Sequence, residues 1–249
     1  MNKGENCRNI SPFFIRKIKH FINVERLKII VDNNKILKGM KIVVFGATGK
    51  TGSLLIEQAL AKGHQVTAYV RNPQSVKIEN PNLKIVVGNL TETLKLKDAL
   101  VGAEACFSTL GGNSLTKRSP ELVLGIENIV RVMEQEVVPR FIYLSSFGAG
   151  DSKSLMPGIL KFFMVDLFLR VPLADHNMNE QRIMSSKLHW TLVRPGGLTE
   201  GPFTGNISFG TDAFKQGKTS ISRADVAAFM LSQLEDSTYS KKAVWLFAK

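Results

Sequence analysis

From residue 41 onward, short apolar runs alternate with stretches in which apolar positions recur at helical spacing. Ile42, Val43, Val44 and Phe45 form an unbroken run. Further runs occupy residues 64–70 (HQVTAYV), 83–88 (LKIVVG), 103–110 (AEACFSTL), 140–145 (RFIYLS), 189–193 (HWTLV) and 243–247 (AVWLF). Runs of this kind predict strands, and apolarity that is continuous rather than alternating predicts strands covered on both faces. Between them, Leu54, Leu55, Ala59 and Leu60 follow a helical period, as do Leu122, Ile126, Ile129, Val130 and Met133. The second helix opens with Ser119-Pro120-Glu121: a capping residue, a proline in the first turn and an acid near the positive end of the helix dipole. The alternation predicts an α/β fold, a doubly wound parallel sheet in one domain over residues 40–249. Its ligand site is expected at the carboxyl ends of the strands.

The first strand runs directly into GATGKTG, residues 46–52, and then into the first helix. A strand, a glycine turn and a helix start bring unpaired N–H groups and the positive end of a helix dipole to one point, which suits a diphosphate. Gly46 allows the tight turn, Gly49 lets the backbone approach the diphosphate, and Gly52 lets the helix pack close to the strand. Thr48, Lys50 and Thr51 complete the turn. The Gly49-Lys50-Thr51 triplet invites comparison with a P-loop, but Val44 stands where that motif needs glycine, which argues against a kinase or ATPase.

The other strand ends supply further candidates. The second ends at Arg71, where sites for NAD hold an acidic residue against the ribose 2′-hydroxyl. A guanidinium pairs instead with a 2′-phosphate, which predicts NADP (NADPH) as the cofactor. Asn89, beside Leu90, is open to two readings, an amide for the adenine edge or simple turn chemistry. Leu110, Gly111 and Gly112 end the fourth strand, where paired glycines permit close approach to a ribose or nicotinamide. Ser145 and Ser146 end the fifth, and a hydroxyl at Ser146 is a candidate to bond a substrate carbonyl. Pro195, Gly196 and Gly197 end the sixth and suit the floor beneath a nicotinamide ring.

Charge changes the picture at the amino terminus. The net charge of the 249 residues is +12, and residues 1–40 carry nine basic against three acidic side chains, half of that excess. Residues 1–39 read as a basic extension outside the core, with Met40 a natural domain start. Phe14, Ile18, Phe21 and Ile22 recur there at helical spacing, which leaves open peripheral membrane contact or organelle targeting. No run there resembles a secretory signal or a membrane span. No nucleic-acid-binding signature accompanies the charge. The two cysteines, Cys7 and Cys106, and the absence of zinc-type spacing predict a reducing, cytoplasmic setting without a metal site.

Together, GATGKTG, VRNP, the serine after the fifth strand, WTLVRPGGLTEGP and the late ISRADVA segment resemble the atypical short-chain dehydrogenase/reductase superfamily. Within it, the chain resembles the flavin reductase/biliverdin-IXβ reductase family. The resemblance implies a Rossmann-type fold from Met40 to Lys249, with residues 46–52, Arg71, Asn89, 110–112 and 195–197 lining the cofactor. The family usually has Asp where this chain has Asn89. Larger departures concern catalysis. Leu173 and Asn177 stand at the positions of the superfamily's Tyr-x-x-x-Lys pair, and Gly197 replaces the histidine that the flavin and biliverdin reductases carry after the sixth strand. His176, near the missing lysine, is the candidate replacement.

A flavin or quinone is an electron sink whose reduction depends mainly on being stacked against the nicotinamide, whereas a simple ketone needs a placed acid. The expected function is therefore an NADPH-dependent oxidoreductase acting on a small conjugated acceptor. An alternative is a non-catalytic NADP-binding redox sensor; a nucleoside-sugar epimerase is a weaker third. A substrate lid is expected around residues 151–175, where Phe162, Phe163, Met164, Leu167 and Phe168 suit either an apolar wall or plain core packing. No separate dimerisation segment is visible, which predicts a monomer.

Overall fold

The computed structural model describes residues 39–112, 114, 116–155, 169–212 and 218–249. The basic extension and the apolar centre of the expected lid lie outside the described residues. Strand β1 (Lys41–Phe45) is exposed only at its first residue. It is flanked by β2 (Gln65–Val70) and β4 (Ala105–Ser108), both parallel to it, with Ile42 level with Val66 and Ala105. The central sheet runs β3-β2-β1-β4-β5-β6-β10-β8, with β3 at Leu83–Val87, β5 at Arg140–Leu144, β6 at His189–Pro195, β8 at Ile207–Gly210 and β10 at Lys242–Ala248. Strand order therefore reverses between β1 and β4, the position at which open sheets of this kind bind their ligands.

Both faces of the sheet are covered at its centre, as the unbroken apolar strands require, whereas the edge strand β3 has no buried residue and exposes Ile85 and Val87. Ile42 and Val44 pack with Leu55, Ile56 and Ala59 of helix α1 (Lys50–Ala61) and Val226 and Met230 of α5 (Arg223–Ser232). Val43 and Phe45 face the other way, onto Leu96 and Leu100 of α2 (Thr93–Leu100), Ile126 and Ile129 of α3 (Pro120–Gln135) and Ile183 of α4 (Arg170–Met184). Each fully buried Leu, Ile or Phe contributes about 1.5–3 kcal/mol relative to exposure, so the two layers together hold the strands in one plane. Cys106 lies in the second layer, fully buried, and burial pushes its thiol pKa up. Among the described residues, no helix is long and apolar enough to cross a membrane.

Four local features qualify or add to the sequence reading. Strand β8 runs antiparallel to β10, with Trp245 level with Gly210, and β7 (Gly197–Thr199) pairs with β9 (Ser220–Ser222) in a small second sheet. These strands are short and partly exposed, so no apolar run announces them. Ser119 occupies the N-cap position of α3 but does not cap it with its side chain; its N–H donates instead to Asp175 Oδ2 at 2.8 Å. Residues 170–175, expected within a lid, are the opening turns of α4, while Gly150–Leu155 is a 3₁₀ segment. Strand β6 extends through Pro195 rather than ending at Val193.

Candidate functional site

The glycine corner after β1 is shaped first by backbone geometry. Gly46 has φ of +80°, in the left-handed region that favours glycine, and the Gly49 N–H closes the turn onto the Gly46 carbonyl at 3.0 Å. A Cβ on Gly52 would lie 2.2 Å from the Gly46 oxygen, so only glycine lets α1 approach this closely. At Gly49 the nearest contact is looser, 3.2 Å to the same oxygen. No side chain caps α1, leaving its first N–H groups, those of Lys50, Thr51 and Gly52, without intrahelical partners. Thr51 and Gly52 are buried and offer only backbone, whereas Thr48, Gly49 and Lys50 are exposed. These groups fit a diphosphate.

Thr109, a residue the sequence reading overlooked, braces this corner from β4. Its hydroxyl donates to the carbonyls of Phe45 at 3.2 Å and Gly46 at 3.1 Å. It belongs to the apolar run ending at Leu110 and carries no motif of its own. Leu110 beyond it is partly buried, and Gly111 and Gly112 are exposed. A Cβ on Gly111 would meet nothing within 4 Å, so a flat ligand has room to lie there.

Arg71, at the end of β2, is exposed and has no hydrogen-bond or ion-pair partner among the described residues. Across from it, the Asn89 backbone is tied at both ends: its carbonyl accepts from Tyr69 Oη at 2.8 Å, and its N–H donates to Glu92. The Asn89 amide itself is exposed. Burial, reinforced by Glu92 and Asp98, pushes the Tyr69 pKa up to about 12, so its hydroxyl keeps the proton it donates. Leu90 is anchored through its carbonyl, which accepts from Asn128 Nδ2 at 3.0 Å. On the other side of the corner, one oxygen of Glu200 accepts from both Lys50 Nζ and Arg223 Nη1, each at 2.8 Å. The hydrogen bond from Lys50 is the main cause holding the Glu200 pKa below the usual carboxylate value.

Ser145 and Ser146 part company in the structure. Ser145 is buried, and its hydroxyl donates to Glu180 Oε1 at 2.6 Å. Ser146 is partly exposed, its hydroxyl near the Phe147 carbonyl at 3.3 Å. The Glu180 carboxylate is gripped at both oxygens by Arg194, at 2.9 and 2.7 Å, and a further Arg194 nitrogen reaches Asp151 at 2.5 Å. Arg194 is 4% exposed and Glu180 1%, so this pair is fully withdrawn from water. Burial works against the Arg194 charge, but Glu180 and Asp151 outweigh it and raise its pKa.

Helix α4 carries most of the remaining polar groups at these strand ends. Asp175 accepts from Arg118 and from the Ser119 N–H, pinning the segment after β4. Asn177, at the position of the superfamily lysine, accepts from the Gly150 N–H at 2.7 Å and pins the segment after β5. Leu173, at the tyrosine position, is buried against Ala149. Between them, His176 Nδ1 lies 3.0 Å from the hydroxyl of Tyr143, which also accepts from Asn179 Nδ2 at 2.9 Å. Burial lowers the His176 pKa more than Glu180 and Asp175 raise it, so the imidazole is neutral at pH 7. Gly196 owes its identity to packing, since a Cβ there would sit 2.4 Å from the Phe247 ring; Gly197 is exposed. Pro195 is buried, its carbonyl accepting from the Phe147 N–H at 2.8 Å. Among the described residues, no group of His, Cys, Asp and Glu is arranged to hold a metal ion.

Residues 46–237 match a family model described as NAD(P)H-binding. An uncharacterised chloroplastic protein of Arabidopsis thaliana is 30% identical over 253 residues, covering 96% of this chain and 88% of the relative. The oxidoreductase ordB of Dothistroma septosporum is 29% identical over 219 residues, covering 80% of this chain and 79% of the relative. The solved anaerobillin reductase ChuY from Escherichia coli O157:H7 has a TM-score of 0.69 at 23% identity, covering 84% of this chain and 97% of its own, a likeness of fold. The family model spans the glycine corner, β4 and the polar face of α4. The chain therefore belongs to a family of NAD(P)H-binding proteins, and its fold is of the Rossmann type.

Proposed function

We propose that the chain is an NADPH-dependent reductase that delivers hydride to a planar, conjugated acceptor such as a flavin or quinone. Binding of NAD(P)H follows from the family. The proposal adds to this a preference for the 2′-phosphorylated form and a class of acceptor. The free guanidinium of Arg71 supports the first. The observation that carries the second is the loss of the acid–base pair: Leu173 is buried against Ala149, and Asn177 is engaged with the Gly150 N–H. An acceptor that spreads the incoming charge over a conjugated ring needs alignment more than proton transfer.

Bound NADPH supplies the hydride; the chain's own residues supply the geometry. The N–H groups of Lys50, Thr51 and Gly52 and the dipole of α1 would hold the diphosphate. Gly111 would leave space beside the ribose and ring, with Gly112 packed near Ser119 and Gly197 as a bare surface after β6. Ser146, at the end of β5 and outside the buried Glu180 network, would bond an acceptor oxygen. The substrate lid is proposed around residues 151–175, and residues 1–39 as an extension outside the core. The name of the Escherichia coli relative, a reductase of anaerobillin, supports an extended conjugated substrate class.

The test is a screen of NADPH oxidation against flavin, quinone and simple aldehyde acceptors. Turnover is expected with the first two and not the third. Tight NADPH binding with no turnover on any acceptor would overturn the reductase reading in favour of a redox sensor, and preference for the aldehyde would overturn the acceptor class.

A further inference from the structure

We infer that His176 acts as a neutral hydrogen-bond donor to the acceptor through Nε2–H, its tautomer set from behind by Tyr143 and Asn179. The inference rests on the reductase reading for what His176 touches, and on the structure's own geometry for its tautomer.

The argument begins with the accounting of one proton. Asn179 is 1% exposed and Tyr143 fully buried, so their polar atoms must find partners within the protein. Asn179 Nδ2 donates to the Tyr143 oxygen at 2.9 Å. The only proton the Tyr143 hydroxyl owns is then free to go to His176 Nδ1, 3.0 Å away. An Nδ1 that accepts belongs to the tautomer that carries its proton on Nε2. Turning the Asn179 amide over would reverse the chain, but Asn179 Oδ1 has no partner. The amino group placed there would bury its N–H groups without an acceptor, a rarer defect than an under-satisfied carbonyl oxygen.

The balance of charge and burial around the ring points the same way. The carboxylates nearest His176 are Asp175 and Glu180 on its own helix. Arg118 and the Ser119 N–H hold the first, and Arg194 with Ser145 holds the second. Both still favour a second proton on the imidazole, but burial outweighs them.

Position completes the case. Asp175 fastens the segment that follows β4, Asn177 fastens the segment that follows β5, and His176 lies between them in sequence on α4. Its Nε2 has no hydrogen-bond partner among the described residues, and the side chain is partly exposed. The step moves no proton off His176. Two electrons and a proton leave the dihydronicotinamide as hydride, Nε2–H bonds the acceptor atom on which negative charge builds, and solvent water provides the proton that completes reduction. Tyr143 and Asn179 are positioning residues.

The tautomer can be read without turnover, from nitrogen–proton correlations of the 15N-labelled imidazole. A neutral Nε2–H ring at pH 7 is expected, and a mixed tautomer in Tyr143→Phe. An Nδ1–H ring or an imidazolium in the wild type would overturn the arrangement, and because the wild type alone decides it, a poorly folding Tyr143→Phe variant does not matter. For the donor role, His176→Ala should lower kcat with a flavin or quinone about 10²-fold at unchanged NADPH affinity. His176→Gln, whose amide can stand in for Nε2–H, should recover most of that loss. An unchanged kcat in His176→Ala would overturn the donor role. A wild type that oxidises no NADPH removes the reading on which that role rests, while the tautomer result stands by itself.

Discussion

In the proposed NADPH-dependent reductase, Arg71 is the residue on which cofactor choice would turn. Its guanidinium stands free at the end of β2, where an acid would favour NADH. Arg71→Ser removes a charged hydrogen bond worth about 1.5–3 kcal/mol, so NADPH affinity should fall about ten- to a hundredfold while NADH affinity holds. Titration of nicotinamide fluorescence for both cofactors measures this, and equal weakening of the two would refute the assignment. At the same scale, the glycines of the first corner were legible because backbone geometry leaves few alternatives: Gly46 needs positive φ and Gly52 has no room for a Cβ. Ser145 was not legible. A serine at a strand end reads the same whether its hydroxyl faces a ligand or, as here, a buried glutamate; the difference lies in Glu180, far along the chain and on another element.

At the scale of elements, α4 is fixed to the sheet by the withdrawn pair of Glu180 and Arg194. Arg194→Met would leave a lone buried carboxylate and should destabilise the fold by about 3–5 kcal/mol. Replacing Glu180 by Gln in the same chain should recover a large part of that loss, because the surviving side chains are neutral. Urea unfolding of the single and double variants measures the coupling; additive losses would mean that the pair does not act as a unit. Strands β1, β2, β5 and β6 were legible because their apolar runs are unbroken, and that follows from burial on both faces. Strands β7, β8 and β9 and helix α4 were hidden for the converse reason. The three strands are short and partly exposed, and α4 turns Asp175, Asn179 and Glu180 inward, so its buried face is polar and its apolar period weak.

For the molecule as a whole, two sets of groups make stability fall as pH falls. His64 is buried, and its Nδ1 accepts from the Met40 N–H at 3.2 Å. Burial first and Lys62 second lower its pKa below the ordinary 6.5. The unfolded chain therefore takes up protons before the folded one, and stability is lost from pH 6.5 downward through the folded value. His176 adds to the same window. Asp225 adds a second. Burial pushes its pKa up, but hydrogen bonds from Ser222, Thr204 and Gly205 outweigh this and bring it below 3.8. Its contribution is complete above pH 3.8 and lost below it. Melting temperatures should thus step down as pH falls below 6.5 and again as it falls below 3.8. His64→Asn, whose side-chain oxygen can accept from Met40, should flatten the upper step; an undiminished slope would remove His64 from the account.

Thr109 carries the last consequence. Because its one hydroxyl stitches the turn after β1 to the end of β4, the two banks of the crevice are joined covalently distant but mechanically as one. The seat for a dinucleotide is thus preorganised during folding, and a cofactor arriving there meets a surface whose backbone entropy has already been surrendered.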